Sequence, residues 1–438
     1  MSCNSALAAT INSGTTAVVV GGGRSGRAAV RLLHLLGATV RLLEKKPENL
    51  PEDFIEWAGN SGVEIQGGEH KPEQFADADL LIPSPGAAVA QLRPLLTAGH
   101  EPVIMAETEL AWRQLDGEAV VAVTGTSGKT TTTSLCAAML EAQGLDVFIG
   151  GNIGIPLSEY VLARKAGRKR ADVLTLELSS FQLQTCSTLK PRAAILLNIS
   201  PNHLDYHKDM EEYTSAKMQL FQCQDENDLA VFGPSLKGVP DKYQVKARTM
   251  YFDPESGRFP EMQLFGPHNH ANAEAAWQAC KEFGVTLENA RKAMREFQPL
   301  EHRLEKVAEI DGVLYVNDSK CTTIEALRVA LASFERPVLL MAGGKFKGGD
   351  LEGMKPLLKQ HVKAVALFGA SRDIFTRAWV DVLPISYDET LRQALQRMRG
   401  IARPGDVVLL APATSSYDQY KNYLERGDDF RRAVLGQD

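Results

Sequence analysis

The sequence has no CxxC pair: its six cysteines stand singly at Cys3, Cys136, Cys186, Cys223, Cys280 and Cys321. That spacing argues against a disulfide framework and fits reduced thiols in a cytosol. It also lacks any apolar run long enough to cross a bilayer, and any charged start followed by an apolar stretch of the signal-peptide kind. A cytoplasmic protein with no membrane partner is therefore expected. Positive charge is not in excess either; the formal net charge is -6 at pH 7, which argues against nucleic acid held through backbone phosphates. The basic run Arg164, Lys165, Arg168, Lys169 and Arg170 is short and reads as a solvated surface loop. At 438 residues the chain exceeds one ordinary core, so two or three domains are expected.

What is present centres on Val121 to Thr132, where a buried-strand run from Ala119 to Val123 meets Gly125-Thr126-Ser127-Gly128-Lys129-Thr130-Thr131. Strand, Gly-rich turn and a Lys-Thr pair opening a helix form the setting of a phosphate-binding loop. Unsatisfied N–H groups at a helix N-terminus favour anions, and glycine lets the backbone close around a phosphate. Lys129 would reach the terminal phosphates and the Thr130 hydroxyl would ligate magnesium. The loop is shorter than a standard Walker loop, which would place its first glycine where Val123 stands. An ordinary tight strand-to-helix turn is the plainer alternative.

Residues 1–106 read as a small α/β nucleotide-diphosphate domain. Ala17 to Val20 is a short strand, Gly21-Gly22-Gly23-Arg24-Ser25-Gly26 matches GxGxxG, and a helix follows with Ala29, Leu32, Leu33 and Leu36 on one face. Glu44 closes the next strand at the distance expected of a ribose-binding acid. This pattern permits a dinucleotide, but Lys45 and Lys46 suit a diphosphate neighbour, and glycines at such turns also serve close helix–strand packing. Pro83-Ser84-Pro85-Gly86 is a rigid turn at a strand end.

In residues 107–299 two further apolar strands end in polar groups, Val173 to Glu177 and Ala193 to Asn198. A carboxylate ending a buried strand needs a partner, and a metal is the partner that a phosphate loop suggests. Glu177 and His203 are the divalent-metal candidates; a satisfied core acid and a helix-cap histidine are the alternatives. Lys217 lies in an expected helix from Met210 to Phe221, where pattern alone makes it a solvated lysine. Asn269 and Asn272 open an Ala-rich helix, where they either cap it or offer amides to a purine or ribose.

Residues 300–438 open with a hairpin, Glu305 to Ile310 and Val313 to Val316 about an Asp311-Gly312 turn. Strands from Val338, Ala364 and Asp406 then alternate with helices, giving another βα domain with a cation-bearing rim.

Gly125 to Thr130, Glu177 to Leu183, Asn202-His203-Leu204-Asp205, Gly266-Pro267-His268-Asn269 and Glu301-His302-Arg303 together resemble the Mur ligases, ATP-dependent amide-forming enzymes of peptidoglycan precursor synthesis. Asn317-Asp318-Ser319-Lys320 is similar to the branch whose incoming amino acid is glutamate. The resemblance covers essentially the whole chain. It implies three α/β domains: an N-terminal Rossmann-like UDP-substrate domain (1–106), a central P-loop mononucleotide-binding parallel sheet (107–299), and a C-terminal Rossmann-like amino-acid domain (300–438). It further implies that Gly125, Thr126, Ser127, Gly128, Lys129, Thr130 and Thr131 hold ATP, with Asn269, Asn272, Arg303 and Asp318 on the adenosine side and His302 near them. Thr130, Glu177, His203 and Lys217 would ligate magnesium, as two ions, with Lys217 carboxylated by CO₂; Lys129, His203 and Lys217 would be the catalytic set. Arg24, Ser25, Lys45, Lys46, Ser84, Asn152 and His203 would face UDP-N-acetylmuramoyl-L-alanine. Lys320, Thr322, Lys347, Ser416 and Tyr423 would face D-glutamate. Tyr423 stands where the family pattern has Phe, so its hydroxyl needs a partner or water. A monomer is expected. The competing readings are a sister ligase using another amino acid, an NAD-dependent oxidoreductase built on GxGxxG, and a non-catalytic nucleotide-binding regulator.

Overall fold

Short apolar, β-branched runs, most of them buried along nearly their whole length, form three sheets, which the computed structural model describes over residues 11–96, 101–203 and 206–437. Cys3 and the Leu204-Asp205 half of the Asn202–Asp205 motif lie outside the described residues. By its contacts the chain divides into two units, residues 1–259 with 271–294, and residues 260–270 with 295–438.

The first unit carries two parallel sheets. One is built from β1 (Thr16–Val20), β2 (Thr39–Glu44), β3 (Glu64–Gly67), β4 (Leu80–Pro83) and β5 (Val103–Ile104), in the order β3-β2-β1-β4-β5. The chain turns back across β1 between β2 and β4, and open parallel sheets bind ligands at such a point beyond the strand C-termini. The helix Arg24–Leu35 packs there through Ala28, Ala29, Leu32 and Leu33, all fully buried, with each leucine worth about 2 kcal/mol of apolar transfer. Gly26 allows the approach, since a Cβ there would stand 1.9 Å from Gly21 O.

The other sheet contains β6 (Ala119–Thr124), β7 (Val147–Gly151), β8 (Val173–Glu177), β9 (Ala193–Leu196), β10 (Leu229–Phe232) and β11 (Arg248–Tyr251), in the order β11-β10-β9-β6-β8-β7. β6 is thus flanked by β8 and β9, and the loops leaving those two strands border the loop leaving β6. The basic run is less free than the sequence suggests. Arg164 reaches Glu118 at 3.5 Å, and Arg168 lies over the Phe148 and Tyr160 rings at 5.9 and 5.6 Å.

The second unit holds β12 (Glu305–Ile310), β13 (Val313–Asn317), β14 (Val338–Gly343), β15 (Val362–Phe368), β16 (Ile385–Asp388) and β17 (Val407–Leu410), in the order β12-β13-β17-β14-β15-β16. Only β12 runs antiparallel, and the expected hairpin forms with Ile310 opposite Val313 and both turn residues at positive φ, 51° and 75°. Helices Ile324–Leu331, Lys355–His361 and Arg372–Trp379 cover one face through Leu327, Leu358 and Phe375, against Val316, Leu340 and Leu409. Helices Leu391–Ile401 and Tyr423–Leu435 cover the other through Leu395 and Phe430, against Leu339, Val408 and Leu410. Successive strand residues feed opposite cores, as the pleat requires. Because β17 sends its chain to one face and its neighbours β13 and β14 send theirs to the other, the C-terminal ends of these three strands form a topological switch point, the crevice position at which open α/β sheets bind ligands.

Candidate functional site

The phosphate-loop sequence forms the turn between β6 and the helix Lys129–Ala142. Gly128 is the helix N-cap at φ 85°, and a Cβ on it would lie 2.5 Å from Asn272 Oδ1, so the backbone passes close under that amide. The Lys129 ammonium donates to Gly125 O at 2.9 Å and Thr126 O at 3.0 Å, folding over the loop's own carbonyls.

Register places the rest. Val123 pairs with Glu177, which brings that carboxylate to the mouth of the loop. Glu177 is 2 % exposed; Oε1 accepts from Asn152 Nδ2 at 2.7 Å, while Oε2 is buried with no hydrogen-bond partner. On the other flank Asn198 follows β9, accepts from Ser127 N at 2.9 Å and donates to Ser127 O at 3.2 Å. Thr126 Oγ1 meets the Tyr213 hydroxyl at 3.1 Å.

Lys217 departs from its pattern-based reading as a solvated lysine. Its helix ends at Met218 and continues to Phe221 as a 3₁₀ turn, and the side chain, 1 % exposed, lies inside. Nζ donates to Gly125 O at 3.0 Å and sits 4.5 Å from the Tyr213 ring centroid. Burial first, and the Lys129 charge second, pull its pKa from the ordinary lysine value down to about 7, against the attraction of Glu177. Near neutral pH much of this group is a free amine. Lys129 and Lys217 therefore share the Gly125 carbonyl, with Glu177 close enough to act on Lys217 electrostatically.

His203 is exposed at φ 55°, with its ring 4.9 Å from Phe181 and 6.4 Å from Tyr213. Among the described residues no three His, Cys, Asp or Glu groups are arranged to hold a metal. The orphaned Glu177 oxygen beside a phosphate loop nevertheless fits magnesium, which takes one or two protein carboxylates and completes its shell with phosphate and water.

At the first sheet's turning point, Arg24, Ser25, Lys45 and Ser84 line one cavity of about 660 Å³, together with Gly21 and Glu44. Lys46 is not among its lining residues, and neither are Asn152 and His203. Glu44 differs from the expected ribose acid. It accepts from Gly22 N at 2.6 Å and Lys46 N at 3.1 Å, so it braces the glycine turn. Ser84 Oγ donates to Gly21 O at 2.8 Å, and Lys45 pairs with Glu69 at 2.9 Å.

In the second unit Asn269 Nδ2 donates to Phe265 O at 2.8 Å. Asp318 is buried, accepts from Leu304 N at 3.2 Å, and is pushed by burial up to about 7, with Arg303 opposing. His302 is 1 % exposed, with Nδ1 3.0 Å from Asn317 Nδ2 and its ring against Gly427, so it is a packing group inside this unit. Around the crevice, Lys320 Nζ lies 5.2 Å from the Tyr423 ring centroid, Thr322 is half-buried, Lys347 is exposed and Ser416 is buried. Tyr423 itself is half-buried. Lys345 and Ser415 exchange backbone hydrogen bonds at 2.8 and 3.1 Å, tying the loop after β14 to the loop after β17.

Two residues beside the phosphate loop, and one buried in the second unit, have surroundings that their sequence signal does not by itself reveal. Asn198 obeys the strand-end rule that singles out Glu177 and could have been found by it. Tyr213 has no mark beyond a helical apolar position. Arg426, buried in the last helix, reads from its sequence as an ordinary solvated arginine.

Comparison with known proteins bears on both units. Residues 123–236 match the Mur ligase middle domain, and residues 302–414 match the Mur ligase, glutamate ligase domain. The chain is 62% identical over 434 residues to a UDP-N-acetylmuramoylalanine--D-glutamate ligase of Nitratidesulfovibrio vulgaris, covering 99% of each. It is 39% identical over 459 aligned positions to the protein of that name from Salinibacter ruber, covering 96% of this chain and 97% of the relative. Among solved structures, the fold is similar to MurF ligase from Thermotoga maritima in complex with ADP, at TM-score 0.59 and 18% identity, covering 91% of this chain and 95% of that one. It is also similar to the UDP-N-acetylmuramate-alanine ligase of the same organism, at TM-score 0.57 and 16% identity, covering 96% and 99%.

Proposed function

The chain belongs to the Mur ligase family, and from that premise we propose that it joins D-glutamate to UDP-N-acetylmuramoyl-L-alanine at the expense of ATP. It is an ATP-dependent ligase of peptidoglycan precursor synthesis. The observation that carries the amino-acid assignment is the full-length likeness, at 62% identity, to a protein named for D-glutamate.

The work is divided among the residues. The N–H groups of Gly125 to Thr131 at the helix N-terminus receive the ATP phosphates, and Lys129 leaves its loop carbonyls to follow them. Asn272 closes over Gly128, while Asn269, Arg303 and Asp318 serve the nucleoside side. The alanyl carboxylate takes the γ-phosphoryl group and ADP leaves; the glutamate nitrogen then attacks the acyl carbon, giving up a proton, and phosphate departs as the amide forms. Phosphoryl transfer between anions needs charge neutralisation, which Lys129 supplies from the loop. Magnesium bound by Thr130, Glu177 and His203 would supply the remaining positive charge. Lys217, once carboxylated, would complete that ligand set, and the free amine that burial favours is the form CO₂ can take. Arg24, Ser25 and Lys45, which line one cavity with Ser84, take the uracil and diphosphate together with Lys46, while Ser84, Asn152 and His203 face the muramoyl-alanine arm. The crevice with Lys320, Thr322, Lys347, Ser416 and Tyr423 takes glutamate, cations and hydroxyls being the donors carboxylates need. On this reading residues 1–106, 107–299 and 300–438 are the UDP-substrate, ATPase and amino-acid domains of a monomer. No described helix is long and apolar enough to cross a membrane, and we assign the protein to the cytoplasm.

The test is phosphate release from ATP with UDP-N-acetylmuramoyl-L-alanine and a panel of D- and L-amino acids. Release with D-glutamate alone is expected; release with L-glutamate or a diamino acid instead would reassign the substrate.

A further inference from the structure

Arg426, in the helix Tyr423–Leu435, is fully buried yet forms no ion pair among the described residues. Its Nε donates to Ser319 Oγ at 3.0 Å, and Nη2 donates to Ser319 O at 2.8 Å and Thr414 O at 3.1 Å. Nη1 is buried with no hydrogen-bond partner. It lies under Gly344, where a Cβ would stand 3.2 Å from it. Asp418, whose charge favours the guanidinium, is itself engaged by Ala370 N at 2.9 Å.

Burying a cation without a carboxylate is costly, and a neutral residue of similar volume would serve packing better. The position of this one is informative. Ser319 follows β13, Gly344 follows β14 and Thr414 follows β17, so the guanidinium donates to the loops after β13 and β17 and lies close beneath the loop after β14. Lys320 and Lys347 are exposed and screened by salt, whereas a charge inside the protein is screened far less.

We propose that Arg426 is the positioning cation of the amino-acid crevice: it braces these loops and holds beneath them a buried positive charge, with no carboxylate in direct ion-pair contact, that favours a dicarboxylic amino acid. The inference rests on the glutamate-ligase reading. Arg426 touches loop atoms and acts on the substrate through them.

The experiment measures phosphate release by the intact protein against D-glutamate, ATP and UDP-N-acetylmuramoyl-L-alanine in turn, for wild type, Arg426→Met and Arg426→Lys, from pH 6.5 to 9. For Arg426→Met we expect the glutamate KM to rise about tenfold or more, the size of one lost charge-assisted interaction. The KM values for ATP and the UDP substrate should stay as in wild type. Arg426→Lys should rescue glutamate binding at low pH and lose it as pH rises, because a buried ammonium sheds its proton where a guanidinium does not. An unchanged glutamate KM in Arg426→Met overturns the proposal, as does an equal rise in all three constants with a collapsed thermal midpoint. Should Arg426→Met fail to fold, Arg426→Lys decides alone, and a glutamate KM that tracks wild type across the pH range overturns it. Absence of D-glutamate-dependent release in the wild type needs no variant to see, and would remove the ligase reading itself.

Discussion

Lys217 and Arg426 pose the same problem in the two units and meet it differently. Each is a cation with 1% or less of its surface exposed, set beneath a glycine-bearing loop at the C-terminal end of a parallel strand, and each donates to loop carbonyls. Burial acts on both in the same direction, lowering the lysine to about 7 and the arginine to about 10. The lysine thereby crosses neutral pH and becomes an amine able to bond carbon, whereas the arginine remains charged. One site has acquired a nucleophile, the other a fixed field. The choice of side chain decides which, together with the neighbouring charge, Lys129 beside the lysine and Asp418 near the arginine.

The comparison breaks most visibly if the two side chains are interchangeable. Lys217→Arg keeps the charge and removes the titratable amine, so ligase turnover should fall by a factor of about 10² or more, read as phosphate release. Lys217→Ala should be as inactive and be partly restored by added short carboxylates. Full activity of either variant without additive would show that no modified lysine is needed. In wild type, ¹³CO₂ incorporation at Lys217 followed by carbon NMR should rise with pH through about 7, because the neutral fraction of the amine rises there.

A smaller effect tests whether loop rigidity, rather than charge, sets nucleotide affinity in the first unit. Asn198→Ala removes both hydrogen bonds to Ser127 and should raise the ATP KM about fivefold, leaving the glutamate KM alone.

A buried acid gives the reverse case in the second unit. Asp318 is raised to about 7 by burial, so its folded-state pKa exceeds the unfolded value of about 4. Its contribution to stability is then whole below pH about 4 and is lost as pH rises through about 7. Asp318→Asn should flatten that decline in thermal midpoints measured between pH 4 and 8.

Least of all should change at Lys45, an exposed cation paired with Glu69 at 2.9 Å. Lys45→Ala should shift the thermal midpoint by under about 2 °C, because water and salt screen an exposed pair. A large loss of stability there would mean that burial is not what separates strong from weak cations in this molecule.

The sequence by itself determined the elements and the nucleotide loop. Near-continuous apolar runs between Gly-rich turns specify parallel strands through local backbone preference and burial on both faces, and Gly128-Lys129-Thr130 announces its chemistry because loop, helix start and cation are neighbours in the chain. Asp311-Gly312 fixed its hairpin for the same local reason. Weakly patterned elements such as β3, β5, β11 and β16 escaped notice, since short edge strands carry little apolar signal.

Only the tertiary structure decided what distant residues do. Glu177 and Asn198 reach the loop because β8 and β9 flank β6, a matter of strand order. Glu44 turned out to brace its own glycine turn, and His302 to pack inside its unit. Lys217 and Arg426 look like solvated helix cations in the sequence, because a single helix pattern records which face is apolar and not what closes over the opposite one. Their pKa values, and with them the split between an amine that can react and a charge that cannot leave, follow from desolvation, which exists only once the chain has folded around them.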